Sequence, residues 1–232
     1  MQVYGKNVAY EYLLGDEKIK AVYLQDGFND SEIKYMIGKK GLKCKMMKKQ
    51  DMDRMSNGLH QGIILEIPDY EYASIDDFIH KENAFVVILD HLEDPHNFGA
   101  IIRTCEAAGV DGIIIPKNRS VSVNATVIKT SVGTANSVNI ACVTNLVNTI
   151  NELKENGFWI YGMDMKGEDY SNLDYNGKIA IICGNEGHGL SSLVRKNCDF
   201  IASIPMKGNV NSLNASVATA LVIFEATKSR KD

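Results

Sequence analysis

Apolar residues follow two patterns along the chain, and the change between them predicts two domains. Up to about residue 67, short apolar runs alternate with polar, helix-like stretches, which is typical of a small α/β domain. From Ala84 onward the apolar runs become continuous and of strand length, as in 85–89 and 178–183. Continuous runs are expected for strands that are covered on both faces of a sheet. The pattern therefore predicts an α/β fold, in which a small N-terminal α/β domain precedes a mostly parallel sheet with helices on both faces.

Glycine, proline and helix-capping residues divide the two patterns into individual elements. The predicted strands are 19–24, 42–47, 62–67, 85–89, 113–115, 138–143, 158–163, 178–183 and 201–204. The predicted helices are 7–14, 31–37, 51–55, 100–108, 124–131, 145–156, 190–196 and 213–227. The polar, acidic segment between the two patterns has at most a short helical pattern, so we interpret it as a linker. The predicted domains are 1–67 and 84–232, with 68–83 as the linker.

Composition excludes several classes of protein. The net charge of −4 excludes a chain that binds nucleic acid through its overall charge, but it leaves room for a local basic face. No apolar run approaches the roughly 18 residues that a membrane span needs, and the N-terminus has no signal-peptide core. The five cysteines include no pair in a C-x-x-C motif, which favours reduced thiols. We therefore predict a cytoplasmic protein with no membrane partner.

One segment has a local excess of positive charge. Between residues 34 and 54 there are eight lysines and arginines and two aspartates, an excess of 8 − 2 = +6. A solvated surface would account for such a cluster, and a footprint for a nucleic-acid backbone would do so equally. Because the rest of the chain is acidic, we favour RNA or DNA binding. The predicted contacts are Lys39, Lys40, Lys43, Lys45, Lys48, Lys49 and Arg54.

Three loops follow predicted strands, and ligands in parallel sheets bind beyond the carboxyl ends of the strands. The first loop follows residue 89, the second is Gly184-Asn-Glu-Gly-His-Gly189, and the third follows residue 204. Glycines let a backbone approach a ligand closely, although they also mark ordinary tight turns. Glu186 would repel a phosphate, so the second loop better suits an uncharged or cationic cofactor edge. In the third loop, Ser212 or Asn214 could simply cap the last helix.

Two further groups in the first loop region have competing interpretations. His91, Asp94 and His96 could form part of a metal site, but their spacing does not fit a zinc site. We favour Asp94 and Pro95 as the start of a helix and predict no metal. Arg103 could be an ordinary surface or ion-pair arginine, or a fork for a phosphate or carboxylate.

The three loops together resemble the motifs of a known family. They are Asp94-Pro-His-Asn-Phe-Gly-Ala-Ile-Ile-Arg-Thr104, Ile182-Cys-Gly-Asn-Glu-Gly-His-Gly-Leu190 and Ile204-Pro-Met-Lys-Gly-Asn-Val-Asn-Ser-Leu-Asn214. Their sequence, order and spacing resemble the SpoU branch of the SPOUT RNA methyltransferases, over about residues 84–230. The N-terminal segment, with Gly5-Lys-Asn-Val8 and His60-Gln-Gly-Ile63, resembles the ribosomal-protein-like substrate-binding domain of many members.

The resemblance implies a fold and a reaction that composition and spacing do not. It implies a C-terminal trefoil knot, S-adenosylmethionine (SAM) as the cofactor, bound in a bent form, and a homodimer whose active site borrows residues from its partner. It implies methyl transfer to a ribose 2′-hydroxyl in RNA. The two-domain layout favours a guanosine of large-subunit ribosomal RNA, and transfer RNA is the alternative.

The resemblance also assigns residues. The implied catalytic residues are Asn97, Arg103, Glu186, Ser212 and Asn214. The implied cofactor-binding residues are Thr134, Gly184, Asn185, Glu186, Ile204, Met206, Ser212 and Leu213. Asn211 departs from the pattern, because many members have an acidic residue at this position. The family proposal makes the residue at Arg103 the base, but a guanidinium is a poor proton acceptor. We therefore expect Arg103 to bind the RNA phosphate beside the target.

Two other functions remain open on the sequence. A nucleotide-dependent oxidoreductase is disfavoured because the glycine loop lies late in the chain and does not open the first strand–helix unit. An RNA-binding protein without activity is disfavoured because all the polar motif residues are present.

Overall fold

The computed structural model describes residues 1–56 and 60–230. These residues form two compact units. The first unit contains Met1–Glu71 together with Val123–Gly133, and the second contains Tyr72–Ser122 and the chain from Thr134 onward. The predicted helix at 124–131 is therefore present but belongs to the first unit. The functional division into 1–67, 68–83 and 84–232 stays a prediction.

The first unit is a mixed four-stranded sheet with helices. Its elements are β1 (Gln2–Tyr4), α1 (Lys6–Leu14), β2 (Ala21–Gln25), α2 (Ser31–Lys39), β3 (Cys44–Met47), α3 (Lys49–Ser56), β4 (Ile63–Glu66) and, later in the chain, α6 (Ala125–Thr130). The strand order is β1-β4-β2-β3, and only the β2–β3 pair is parallel. The α/β character predicted for this part of the chain is confirmed, and the short strand β1 was not predicted.

The segment predicted as a linker packs into the second unit from Tyr72 onward. Ala73 forms an isolated bridge with Ala141, and a short helix, α4, spans Asp76–Ile79. Phe78 and Ile79 of this helix are fully buried. A Cβ added to Gly112 would lie 2.6 Å from the ring of Phe78, so the ring packs directly on a bare glycine.

The second unit is built around a parallel sheet. Its further elements are β5 (Phe85–Asp90), α5 (Pro95–Ala107), β6 (Gly112–Pro116), β7 (Asn139–Val143), α7 (Leu146–Glu155), β8 (Trp159–Asp169), β9 (Ile179–Gly184), α8 (Ser192–Asn197), β10 (Phe200–Ser203) and α9 (Ala215–Ser229). The strand order is β10-β8-β9-β5-β6-β7, and every pair is parallel. All six residues of β5 are buried, as its continuous apolar run predicts. The predicted fold class, an α/β fold with a parallel sheet flanked by helices, is confirmed, and the knot stays a prediction.

Strand β8 is longer than predicted and leaves the sheet in its middle. Gly162 pairs with Ile201, whereas the next residue of β10, Ala202, pairs with Glu168. The ladder with β9 also ends at Gly162. The intervening residues 163–167, here called the β8 excursion, therefore have no ladder partner in either neighbouring strand. A sequence insertion into one strand of a pair bends that strand and re-aims its side chains.

Two helices begin where their capping residues place them. Helix α5 begins at Pro95, before the helical pattern at 100–108 and as the interpretation of Asp94 and Pro95 as a helix start predicts, and the Asp94 side chain accepts a hydrogen bond from the His96 N–H at 2.8 Å. Proline at this position loses no helical hydrogen bond. Helix α9 begins after Asn214, whose Oδ1 accepts from the backbone of Ser216 at 2.9 Å. The capping role proposed for Asn214 is therefore confirmed.

Within residues 1–56 and 60–230, no helix combines the length and the apolar character that crossing a bilayer requires.

Candidate active site

The second and third loops meet at the carboxyl edge of the parallel sheet and enclose a cavity of about 410 Å³. This volume is within the range of small-molecule sites. The lining residues come from the β8 excursion, the glycine loop after β9, the end of β10 and the start of α9. They include Met163, Asp164, Met165, Cys183, Gly184, Asn185, Glu186, His188, Ala202, Ile204, Met206, Asn211, Ser212, Leu213, Asn214, Ala215 and Ala218.

A hydrogen-bonded chain of three side chains joins all three loops beside this cavity. Asn97 is only 7% exposed, and its Nδ2 donates to Glu186 Oε1 at 3.2 Å. Its Oδ1 accepts from Asn214 Nδ2 at 2.9 Å. Glu186 also accepts from the Asp94 N–H at 3.4 Å. Asn214 uses its Oδ1 to cap α9 and its Nδ2 to bind Asn97. The same side chain can therefore cap the helix and also belong to the site.

The glycine loop is a tight, internally bonded turn. The backbones of Asn185 and Gly189 exchange two hydrogen bonds, at 3.0 and 2.9 Å. A Cβ added to Gly184 would lie 2.2 Å from the carbonyl carbon of Gly189, so no larger residue fits there. The Asn185 side chain donates to the His91 carbonyl at 2.8 Å and accepts from the Gly187 N–H at 2.9 Å. Asn185 therefore holds the loop in shape and ties it to the first loop.

A buried carboxylate fixes the other end of the same loop. Asp90 is 1% exposed, and its Oδ2 accepts from the Ser191 N–H at 2.7 Å. Its Oδ1 lies 2.6 Å from His91 Nδ1. His91 has a positive φ of 60°, an uncommon backbone conformation for a residue other than glycine. This conformation is held by the two sets of bonds that reach His91 from Asp90 and Asn185.

The cavity has a negative lining. Asp164 and Glu186 contribute carboxylates, and no lysine or arginine is among its described lining residues, although Arg195 of α8 pairs with Asp164 from outside the lining. Burial raises the pKa of the Cys183 thiol to about 11, so this lining cysteine stays protonated and is a poor nucleophile at neutral pH. Such a lining favours a ligand that carries positive charge.

The structure brings most of the predicted site residues together. Gly184, Asn185, Glu186, Ile204, Met206, Ser212, Leu213 and Asn214 line the cavity. Asn97 lies beside it through its bonds to Glu186 and Asn214. Arg103 and Thr134 are not among the described lining residues: Arg103 is exposed on α5, and Thr134 begins a short 3-10 helix. The catalytic and cofactor-binding roles of all these residues stay predictions.

Sequence reasoning missed the lining residues of β8. Met163, Asp164 and Met165 line the cavity because the β8 excursion turns them out of the sheet. The available signal was the pair of glycines, Gly162 and Gly167, within a strand pattern, which indicates a bulge or a close backbone approach.

The basic segment lies on the surface of the first unit. All seven predicted contact residues, on α2, β3 and α3 and the turns beside them, are exposed. Lys49 pairs with Asp53 at 4.0 Å and Arg54 with Asp51 at 3.6 Å. In the part of the chain that the structure describes, Lys43, Lys45 and Lys48 have no ion-pair partner.

The residues weighed as metal ligands have other partners in the structure. His91 bonds to Asp90, and Asp94 caps α5. In the described ranges 1–56 and 60–230, no group of three or more histidine, cysteine, aspartate or glutamate side chains is placed to hold a metal ion.

Fold and site together define an α/β protein with a cavity of small-molecule size at the carboxyl edge of a parallel sheet, beside a cluster of polar side chains. The chain belongs to the SpoU family of RNA methyltransferases. Residues 84–224 match the SpoU rRNA methylase family, and residues 2–73 match the RNA 2′-O ribose methyltransferase substrate-binding domain. It is accordingly a SAM-dependent RNA methyltransferase.

Relatives match the chain over nearly its full length. The Bacillus subtilis protein YacO, assigned to the TrmH family of tRNA/rRNA methyltransferases, is 40% identical over 98% of this chain and 95% of its own length. A Staphylococcus aureus protein assigned to the same family is 41% identical, over 99% of this chain and 96% of its own.

Solved structures share the fold. The SpoU methyltransferase AviRb from Streptomyces viridochromogenes, in complex with SAM, matches with a TM-score of 0.82 at 22% identity, over 98% of this chain and 89% of that chain. A SAM-bound rRNA methyltransferase from Sinorhizobium meliloti matches with a TM-score of 0.80 at 24% identity, over 98% of this chain and 86% of that chain.

The cavity fits this cofactor. SAM carries a sulfonium and an ammonium, and the lining supplies the carboxylates of Glu186 and Asp164, the second of which also pairs with Arg195 of α8. The lining also contains apolar side chains, such as Ile204, Met206 and Leu213, that suit an adenine ring. Three glycines of the loop, Gly184, Gly187 and Gly189, also line the cavity and have no side chains to obstruct a ligand.

Proposed function

We propose that this enzyme transfers the methyl group of SAM to a ribose 2′-hydroxyl of RNA at the cavity described above. The observation that carries the proposal is the chain of bonds from Glu186 through Asn97 to Asn214, because it places polar groups of all three loops at one edge of the cavity. The substrate-binding match at residues 2–73 supports a ribose acceptor by its description.

Methyl transfer from SAM requires the protein mainly to align the attacking hydroxyl with the methyl group. Bound SAM supplies an activated methyl group with a good leaving group, so the chain must orient the attacking hydroxyl and assist the loss of one proton. Ser212 is exposed at the cavity and has a hydroxyl that can bond to a ribose. Asn97 and Glu186 hold Asn214 and the glycine loop in fixed positions beside it.

We propose that Arg103 binds the RNA phosphate next to the target nucleotide. Arg103 is exposed, and among the described residues it has no hydrogen-bond or ion-pair partner. An unpaired guanidinium is suited to a phosphate, and its charge lowers the cost of forming an alkoxide at the 2′-oxygen.

The basic segment of the first unit is proposed to hold RNA outside the catalytic cavity. We expect Lys45→Glu to weaken RNA binding by about tenfold at low salt and to reduce the salt dependence of binding by about one to two counterions. The reason is that Lys45 lies in the middle of the cluster, is exposed and has no ion-pair partner among described residues. Filter binding at several salt concentrations measures both quantities.

The matched control for this variant is Lys18→Glu, which reverses an exposed lysine of the same unit outside the cluster. Equal losses of RNA affinity in the two variants would mean that RNA binding depends only on the net charge of the protein. The cluster would then have no special role in binding.

Large-subunit ribosomal RNA, with a guanosine target, is the proposed substrate, and transfer RNA is the alternative. The relatives in Bacillus subtilis and Staphylococcus aureus carry a family assignment that includes both RNA classes. The two-domain layout supports ribosomal RNA, because the family resemblance links that layout to ribosomal targets. A cytoplasmic location is proposed with either substrate.

A homodimer is proposed as the working form. Helix α9 exposes an apolar stripe of Val217, Leu221 and Phe224, which are 50%, 41% and 49% exposed. Residues at this helical spacing share one face, and they line a groove with Ala100 and Thr104 of α5. A second copy of the chain would bury this face, and light scattering after size exclusion measures the mass.

The experiment that tests the proposed function is transfer of tritiated methyl from SAM to RNA purified from cells that lack this protein. Digestion and nucleoside analysis then identify the product. A 2′-O-methylguanosine in large-subunit RNA is expected. The same kind of product in transfer RNA would change the substrate and keep the reaction. A base-methylated nucleoside, or no transfer to any RNA by a protein that binds SAM, would refute the proposal.

A further inference from the structure

The β8 excursion supplies Met163, Asp164 and Met165 to the cavity lining, and these residues lie outside the three family motifs. Both of its ends are held by glycines against neighbouring elements. A Cβ added to Gly162 would lie 2.6 Å from Cys198 Sγ, and one added to Gly167 would lie 2.3 Å from the Ile201 carbonyl oxygen. Neither position has room for a side chain, so the points where β8 leaves and rejoins the sheet are fixed.

The middle of the excursion is fixed by side chains from outside it. Arg195 Nη1 of α8 lies 2.5 Å from Asp164 Oδ2, and its Nη2 donates to the Lys166 carbonyl at 3.1 Å. Ser203 Oγ of β10 donates to the Met165 carbonyl at 3.0 Å. Asp164 is thereby held in the cavity lining by a bond to its own side chain and by bonds to the two residues that follow it.

The Asp164 carboxylate retains the capacity to accept further hydrogen bonds. Its Oδ2 faces Arg195, and its Oδ1 accepts from the Lys166 N–H at 3.1 Å. An ionised carboxylate offers about four acceptor positions, so these two bonds leave others open. Glu186, the other carboxylate of the lining, accepts from Asn97 and the Asp94 N–H through its Oε1, so its position is set by the first loop.

We propose that Asp164 is a cofactor-selecting residue, which accepts a hydrogen bond from a donor group of SAM. The donor groups of SAM with this chemistry are its ribose hydroxyls and its α-ammonium. Arg195 acts as a positioning residue, because it holds the carboxylate in place and contacts the cofactor only through it. This inference rests on the proposed placement of SAM in the cavity.

Isothermal titration calorimetry with S-adenosylhomocysteine tests the proposal without turnover. Asp164→Asn keeps the shape of the side chain and removes its charge, so we expect about tenfold weaker binding. Methylthioadenosine keeps the ribose and lacks the ammonium. Weaker binding of both ligands assigns the bond to the ribose, whereas weaker binding of S-adenosylhomocysteine alone assigns it to the ammonium. Unchanged affinity for both ligands overturns the proposal.

Two further variants make the result specific. Glu168→Gln removes a carboxylate of the same strand that is exposed and outside the described lining, and its affinity should stay within about twofold of the wild type. Thermal unfolding without ligand checks that Asp164→Asn is folded. If it is not, Asp164→Glu replaces it, and a carboxylate moved by one methylene should still bind more weakly than the wild type.

Ala218→Leu separates this proposal from the placement of the cofactor. Ala218 lines the cavity, and a leucine there would fill part of its volume. If Ala218→Leu loses S-adenosylhomocysteine binding while Asp164→Asn keeps the wild-type affinity, the role of Asp164 is refuted and the placement of the cofactor stands. Unchanged binding in the Ala218→Leu variant would refute the placement of the cofactor and the role of Asp164 together.

Discussion

Replacing Arg103 with alanine is expected to slow methyl transfer by about 10³-fold, while the affinity for S-adenosylhomocysteine stays within about twofold of the wild type. The separation of the two effects follows from the structure. Arg103 is exposed, lies outside the described lining of the cavity and has no protein partner among described residues, so its loss removes no contact from the cavity. Single-turnover rates with a defined RNA and calorimetry with S-adenosylhomocysteine measure the two quantities.

The lysine variant distinguishes a phosphate ligand from a base. Arg103→Lys keeps the positive charge and loses the planar fork, so a phosphate ligand should recover part of the rate with an unchanged pH–rate profile. A base should instead produce a new ionisation limb in the lysine variant together with a recovered rate. An Arg103→Ala enzyme that retains the wild-type rate would contradict both roles.

Mixing two inactive variants tests whether Arg103 serves its own chain or its partner. Arg103 lies on α5, whose residues Ala100 and Thr104 line the groove beside the apolar stripe of α9. If a second copy covers that groove, Arg103 of one chain is expected to act at the cavity of the other. Mixing Arg103→Ala with Ala218→Leu should then restore about a quarter of the wild-type activity, because half of the dimers contain one complete site. A mixture that stays inactive would assign Arg103 to its own chain.

Asn97→Asp is expected to lower activity by about 10²-fold at neutral pH and to make stability strongly dependent on pH. The Asn97 side chain donates to Glu186 Oε1 at 3.2 Å and is 7% exposed. A carboxylate in its place would face Glu186 directly. Keeping two charged carboxylates this close together costs free energy because they repel each other. One carboxyl of the pair should therefore have a raised pKa.

The sign of the pH effect follows from that raised pKa. A group whose pKa is raised by folding favours the folded state below its unfolded pKa, and this contribution is lost as pH rises through the folded pKa. The difference in unfolding free energy between Asn97→Asp and the wild type should therefore be largest near about pH 8 and shrink toward about pH 5. Urea unfolding at the two pH values measures it.

Asn148→Asp is the control for this variant, because Asn148 is an exposed asparagine in the first turn of α7. The unfolding free energy of the Asn148→Asp variant, relative to the wild type, should change little between the same two pH values. If Asn97→Asp shows no greater pH dependence than this control, the bond between Asn97 and Glu186 does not matter in solution.

Much of the fold could be predicted because its signals are local. The buried strand β5 is a continuous apolar run, and Asp94 with Pro95 marks the start of α5. The rule that ligands bind beyond the carboxyl ends of parallel strands brings three separate loops to one edge. The bond from Asn97 to Asn214 joins residues 117 positions apart, which no local pattern predicts, so these residues were identified through the resemblance to a family.

The features that were missed depend on which element packs against which. The helix at 124–131 was predicted correctly as a helix. Its apolar residues do not indicate which of the two units will bury them. The exit of β8 from the sheet depends on the register of β10, since Ile201 and Ala202 are adjacent while their partners Gly162 and Glu168 are not. Only the two flanking glycines signalled this in the sequence.

The return of Val123–Gly133 to the first unit limits how this enzyme can be recombined with its relatives. Lys129 of that segment lies over the ring of Tyr4, at 5.1 Å from Nζ to the centroid, and a Cβ added to Gly133 would lie 2.9 Å from the side chain of Glu11. A chimera joined only at residue 72 would combine this helix from one parent with a foreign surface from the other. Buried Val127 and Ile128 would then face mismatched neighbours. Exchange of the first unit between relatives therefore requires grafting Met1–Glu71 and Val123–Gly133 together.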